Sequence, residues 1–293
     1  MAEFYINNGV IFTPTTITLP TPTAGGSHLF VKNNAGRLMY GQMGPSGVDY
    51  TFQPSMYANK IGYWNPPGNV TTVPGLFGMG TLTATGTATA RTVATTNLFT
   101  RTRRVGTVSA ATAAALTGYR GTAAQLTIGT GSGLGGFYYV IRFGISDAAA
   151  VSGARMFVGL RNITTAPANV EPSTLTNCIG VGHGAANTNL FLYYGGSAAQ
   201  APIDLGINFP TNTLSTDLYE LSLFSTPSSN NSVGYKVERL NTGTVATGTL
   251  TGTAGTALPL STALLVNNDF RTNNATALAV GIDYVSIYFE TDF

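Results

Sequence analysis

The second half of this chain breaks into short apolar runs at nearly regular spacing, each closed by turn-forming residues, and that pattern limits the folds open to it more than any other feature. The runs are GFYYVIRFGI (136–145), ARMFVGLR (154–161), CIGVGH (178–183), LFLYY (190–194), LYELSLFS (218–225), VGYKVERL (233–240), TVATGTL (244–250) and AVGIDYVSIYFE (279–290). Eight or more such strands predict an all-β sandwich or jelly roll. In LYELSLFS the period of two is explicit: Leu218, Glu220, Ser222 and Phe224 share one face, and Tyr219, Leu221, Leu223 and Ser225 the other. One face is expected in the core and the other partly wet. Asn241-Thr-Gly243 supplies a glycine for positive φ and predicts a hairpin between its flanking strands. Ser109–Gly121 is the best helical candidate, with Ser109 as N-cap and Gly118 as stop.

The first hundred residues read differently. Residues 1–27 alternate Thr with apolar residues and are broken by Pro14, Pro20 and Pro22, as an extended arm would be. Residues 28–79 are dense in Gly, Pro and Asn and predict a turn-rich module with short strands at 29–32, 37–40 and 60–64. Residues 80–104 alternate Thr with small residues and offer little volume for a core, which suggests a linker or a strand packing against copies of itself. Residues 105–293 form the sandwich domain, expected to fold without the first 75 residues.

Charge is scarce: 9% of the 293 residues are Asp, Glu, Lys or Arg, against roughly 25% in a typical soluble domain. Fourteen basic against twelve acidic residues give +2, and only Arg101, Arg103 and Arg104 cluster, so an extended nucleic-acid face is not expected. A surface with so few charges suits an assembly that covers much of it. Cys178 is the single cysteine, which rules out an intrachain disulfide. No basic n-region with an apolar h-region opens the sequence and no run approaches 18 apolar residues, so neither export by a standard signal nor membrane insertion is expected.

Few patterns here carry chemistry. Gly131-Ser-Gly133-Leu-Gly135-Gly136 satisfies G-x-G-x-x-G, yet a strand follows it where a dinucleotide site needs a helix, so a glycine turn is expected. Only two histidines, His28 and His183, are present, too few for a His-rich metal site. Asp217 and Glu220 are the nearest pair of carboxylates in sequence suited to glycoside hydrolysis, but strand geometry sends them to opposite faces, and Asp283 and Glu290 also fall out of phase. No nucleophile elbow is present. Catalysis is not expected, nor is a metal or cofactor. For ligand binding the candidates are His183, Asn187, Tyr193 and Tyr194, which cluster around one strand-to-strand connection.

Phe30 to Gly75 resembles a module near the start of tailed-bacteriophage virion appendage proteins, particularly tail fibres. Lys32, Asn33, Gly36, Arg37, Gly44, Pro45, Ser46, Gly47, Asp49, Gln53, Pro54, Asn59, Lys60, Trp64, Pro66, Pro67, Gly68 and Asn69 carry the likeness. From Gly136 onward, GFYYVIRFGISD, ARMFVGLR, STLTNCIGVGHGAANTN, FLYYGGSAAQ and IDYVSIYFETD are similar to concanavalin A-like jelly rolls. The resemblance implies an N-terminal anchor to other virion proteins, built from those residues, and a displayed C-terminal domain, usually as a homotrimer. It implies a short tail fibre contacting host-surface glycan, with a capsid-decorating, neck or baseplate protein and a depolymerising tailspike as alternatives, all residing in the virion. Lectins of this type bind calcium through clustered Asp and Asn, whereas Asp204, Asp217 and Asp283 stand apart here, which counts against metal-dependent sugar binding.

Overall fold

A computed structural model describes residues 21–23, 26–43, 49–51, 60–72, 77–211 and 213–291. The first elements are β1 (His28–Asn34), β2 (Arg37–Met43), β3 (Asp49–Thr51), β4 (Lys60–Trp64), β5 (Leu82–Thr85), β6 (Thr87–Ala90) and the one-turn helix α1 (Leu98–Arg101). Then come β7 (Val105–Val108), β8 (Leu116–Gly121), β9 (Phe137–Ile145), β10 (Arg155–Arg161), β11 (Cys178–His183), β12 (Phe191–Gly195) and β13 (Ile203–Asp204). The chain closes with β14 (Tyr219–Ser225), β15 (Ser232–Arg239), β16 (Thr244–Thr251), β17 (Val266–Asn267), β18 (Phe270–Thr272) and β19 (Gly281–Thr291).

Two eight-stranded sheets face each other. The front sheet runs β13-β12-β11-β10-β18-β8-β5, with β17 also on β10; the back sheet runs β16-β15-β14-β9-β19-β7-β6, with β4 on the far half of β19. Between them lies one apolar core to which both contribute, including Ile141, Phe143, Tyr219, Leu221, Leu223, Ile282 and Ile287 from the back and Met156, Val158, Leu160, Ile179, Val181 and Leu192 from the front. The alternation expected of LYELSLFS holds, with Tyr219, Leu221 and Leu223 inside. Its other face is drier than expected, because Glu220 and Ser222 are buried too.

The cover is the β1–β2 hairpin. Its turn carries Ala35 and Gly36 at positive φ, with the Gly36 N–H donating to Asn33 Oδ1 at 2.9 Å. The turn docks on the outer face of the back sheet: Asn34 bonds to Tyr138 and to Ser222 Oγ (3.3 Å), and Arg37 pairs with Glu290 while lying over the Tyr138 ring. A Cβ on Gly234 would sit 1.9 Å from the Ala35 carbonyl oxygen, so only glycine admits the hairpin there.

Three boundary expectations change. Residues 80–104 are neither a linker nor a strand reserved for another subunit, since β5 pairs with β8 and β6 with β7 within the chain. Gly86, at φ 78°, is the corner where the segment passes from the front sheet to the back; a Cβ there would lie 2.7 Å from the Val108 carbonyl oxygen. Small Thr and Ala side chains fit this sharp crossing along the sandwich edge. Nor does the sandwich begin at residue 105, because β4 pairs with β19 and Trp64 lies fully buried in the common core. The helical candidate at 109–118 is instead a turn leading into β8, where the Ala115 N–H donates to Asn273 Oδ1 at 3.0 Å. The helix that forms is α1, closed by a capping box on Asn97 and anchored by buried Phe99.

Other expectations hold. Gly243, at φ 71°, closes the β15–β16 hairpin, and the 131–136 glycines form a loop into β9 with positive φ at Gly131, Gly133, Gly135 and Gly136. The basic cluster does not present one face: Arg104 is buried, donating to Asp283 Oδ2 at 2.9 Å.

Candidate binding cleft

The front sheet's outer face carries a small apolar cluster of Phe157, Leu175, Cys178, Tyr193 and Phe270. Side chains alternate across each strand, so Phe191 and Tyr193 of β12 point outward while Leu192 and Tyr194 pack toward the main core. The β10–β11 connection, residues 162–177, bends over this face. Beside it opens a cleft of about 420 Å³ lined by Glu171, Ser173, Asn187, Phe191, Tyr193 and Pro202, with backbone from Gly184 to Ala186.

Among the described residues, Glu171 is the only charged one lining this cleft. Its Oε1 accepts from Arg155 Nε at 2.8 Å, and its Oε2 lies 3.3 Å from the Ala185 N–H. A carboxylate accepts about four hydrogen bonds, so acceptor capacity is left for a ligand. Asn187 uses Oδ1 twice, accepting from the Gly184 N–H at 2.6 Å and the Tyr193 hydroxyl at 3.1 Å, which leaves its amide NH₂ to donate. Burial holds the Tyr193 phenol well above its ordinary pKa, so it stays a neutral donor to Asn187. The Phe191 ring, half-buried, lies 6.3 Å from that of Tyr193 at 38°. Acceptor, donor and aromatic face thus meet at one opening.

Of the four ligand-binding candidates from sequence, Asn187 and Tyr193 line the cleft. Tyr194 does not, because it occupies the opposite side of β12. His183 is withdrawn as well: it is buried, its Nε2 accepting from Arg271 at 2.8 Å and its Nδ1 facing the Gly184 carbonyl at 3.2 Å. Burial, with the Arg271 charge adding, pushes its imidazole down to about 3, so it is a neutral structural group. Glu171, Ser173, Phe191 and Pro202 were missed. For Phe191 the signal was present, because residues two apart share a strand face and adjacent Tyr193 and Tyr194 cannot.

The attachment residues scatter. Asn33 and Gly36 build the β1–β2 turn, Arg37 docks it, and Trp64 is a core residue rather than a contact for another protein. Lys32 lies in β1, Pro66 is buried, and Pro67, Gly68 and Asn69 form a partly exposed turn with positive φ at Gly68 and Asn69. Gly44, Pro45, Ser46, Gly47, Gln53, Pro54 and Asn59 fall outside the described residues.

The carboxylates considered for catalysis are each engaged. Asp217 pairs with Arg239 at 2.8 Å, Glu220 with Arg142 at 2.7 Å, and Asp283 with both Arg91 and Arg104. A bulge between Tyr284 and Ser286 shifts the phase of β19, which places Asp283 and Glu290 on the same outer face, contrary to simple alternation. They remain apart, each held by different arginines.

No family model matches this chain, and no curated protein matches it by sequence. Solved structures do match. Lectin II from Ulex europaeus is 13% identical over 79% of this chain and 98% of its own, with a TM-score of 0.50. Lectin UEA-II complexed with galactose, 14% identical, covers 79% of this chain and 98% of its own at a TM-score of 0.50. A protein of unknown function from Shewanella oneidensis MR-1 is 15% identical over 82% of this chain and 90% of its own, at a TM-score of 0.47. At such identities the likeness is one of fold, and this fold is the concanavalin A-like β-sandwich of the legume lectins.

Proposed function

We propose that this chain is a non-catalytic glycan-binding protein of a phage virion, a short tail fibre whose sandwich takes a host-surface saccharide in the Glu171 cleft. One observation carries the binding assignment: a carboxylate acceptor, an amide donor and a half-buried aromatic ring converge on one open cleft. Adjacent sugar hydroxyls pair with Glu171 and Asn187, and an apolar sugar face rests on Phe191. The fold shared with a lectin structure that contains galactose supports the reading. The virion assignment rests on the N-terminal resemblance.

Phe191→Ala and Glu171→Gln are each expected to weaken binding to a saccharide array about tenfold, the loss of roughly 1.4 kcal/mol. Unchanged binding in both variants would remove the cleft from consideration. A second reading, a decorating or baseplate protein with no receptor, is favoured by the exposed Leu29, Leu38 and Tyr40 on β1 and β2, a surface suited to another virion protein or a second copy. A gold label fixed to the C-terminus separates the two: label at the tail supports receptor binding, and label repeated over the head supports decoration.

A further inference from the structure

We infer that Arg155, and not a divalent cation, fixes the cleft's carboxylate, so that occupancy of the cleft needs no metal and favours uncharged over acidic saccharides. The inference rests on the reading of the cleft as a glycan site.

Calcium requires six to eight oxygen ligands, with carboxylates prominent among them. The residues here do not fit that demand. Among the described residues no three of His, Cys, Asp and Glu converge. The isolated aspartates are also committed elsewhere. Asp204 accepts from the Gly206 N–H at 2.8 Å and from Asn189 Nδ2 at 3.2 Å, Asp217 faces Arg239, and Asp283 faces two arginines.

At the cleft a guanidinium does the holding. Arg155 projects outward from β10, its Nε donating to Glu171 Oε1 at 2.8 Å and its Nη1 to Asn169 Oδ1 at 3.1 Å. Thr272 of β18 donates to the same Asn169 oxygen at 3.1 Å. One side chain thereby grips two residues of the 162–177 connection, and Glu171 passes the grip to the 184–187 turn through the Ala185 N–H. Arginine suits this task because its planar fork stays charged at every working pH. The order of depth matters: the Arg155 side chain is 16% exposed and that of Glu171 35%, so the cation lies behind and the anion in front. A ligand entering the cleft meets the carboxylate, which accepts hydroxyl protons and repels a uronic or sialic acid. Arg155 is a positioning residue, acting through Glu171.

The test uses the full-length chain and begins without any glycan. Titration calorimetry with calcium chloride and manganese chloride alone is expected to give no stoichiometric heat. Hydrogen exchange at the Ala185 amide and residues 169–175 should be the same in calcium and in EDTA. It should rise at least tenfold in Arg155→Ala and recover in part in Arg155→Lys. Stoichiometric calcium binding that protects this segment, or wild-type exchange in Arg155→Ala, would overturn the inference.

In the ligand arm, an array of neutral hexose oligosaccharides and matched uronic-acid oligosaccharides is probed with and without EDTA. Retention on neutral spots should survive EDTA. Arg155→Ala, which unmasks the Glu171 charge, should lower acidic retention further relative to neutral retention, whereas damage to packing alone would lower both alike. Loss in EDTA restored by calcium, or a preference for acidic spots, would also overturn it. If nothing is retained while the calorimetry and exchange come out as expected, the glycan reading falls and the role of Arg155 in holding the carboxylate stands.

Discussion

Asp269 is fully buried within the sandwich, its Oδ1 accepting from the Gly159 N–H at 2.7 Å and its Oδ2 from Asn267 Nδ2 at 2.7 Å. Burial pushes its carboxyl up to about 8 from 3.8, against the pull of those hydrogen bonds and of the Arg161 charge. Between these two values the folded chain holds a proton that the unfolded chain has lost. The resulting stability is full below the lower value and lost as pH rises through the higher one. His183 works in the other direction: with its pKa lowered from 6.5 to about 3, its contribution is present above 6.5 and lost as pH falls toward 3. We predict that the urea midpoint of the wild type is nearly level from pH 5 to 6.5, where the two contributions oppose each other, then declines toward pH 8, and that Asp269→Asn removes this decline. Parallel curves for the two proteins would show that Asp269 is ionised in the fold. Neither shift was legible in sequence, since nothing local distinguishes Asp269 from a surface turn residue; the long-range packing of β9, β10, β18 and β19 creates its environment. Glu171 was hidden for the same reason, as its partner Arg155 lies on the strand beneath it.

At the scale of elements, the strands of the second half were legible because each buries one face of an alternating run, and period two is a local property. β11 spans Cys178–His183, the very run read from sequence. The edge strands β5 and β6 were read only as a linker or a strand meant for another copy, because Thr and Ala alternate without a volume contrast that would mark a partner within the chain, and the bulge in β19 left no mark that a single sequence shows. β4 was seen as a strand but given to the wrong body. Its Trp64 is fully buried and 6.5 Å from the Tyr119 ring, so Trp64→Ala is predicted to cost about 3 to 5 kcal/mol in chemical denaturation. A chain cut to 105–293 lacks β4, β5 and β6 together, and bares core side chains on both sheets. It should show no cooperative thermal transition and a weak near-ultraviolet circular dichroism signal. A sharp melt near the wild-type temperature would mean that these strands are accessory.

For the whole molecule, the two sheets place the hairpin and the cleft on opposite outer faces. The β1–β2 hairpin docks on the outer face of the back sheet through Asn34 and Arg37, while the Glu171 cleft opens on the outer face of the front sheet. On the function proposed above, a chain held through its N-terminal region would keep its cleft free, and several copies held together would engage a glycan surface at once. If single-site affinity for a sugar is modest, as expected of so open a cleft, linking copies raises apparent affinity by roughly 10² to 10⁴ without any new contact. The prediction follows from this arrangement. Biotin placed at the N-terminus and captured on tetravalent streptavidin should bring that gain on a polysaccharide surface, measured by surface plasmon resonance against the free chain. Biotin attached through Ala186→Cys, on the rim of the cleft, should abolish it, with Cys178 remaining unlabelled because it is buried and burial pushes its thiol up to about 12. Equal gains from both attachment points would separate binding from the front sheet, and no gain from the N-terminal one would argue that the chain is displayed by some other surface.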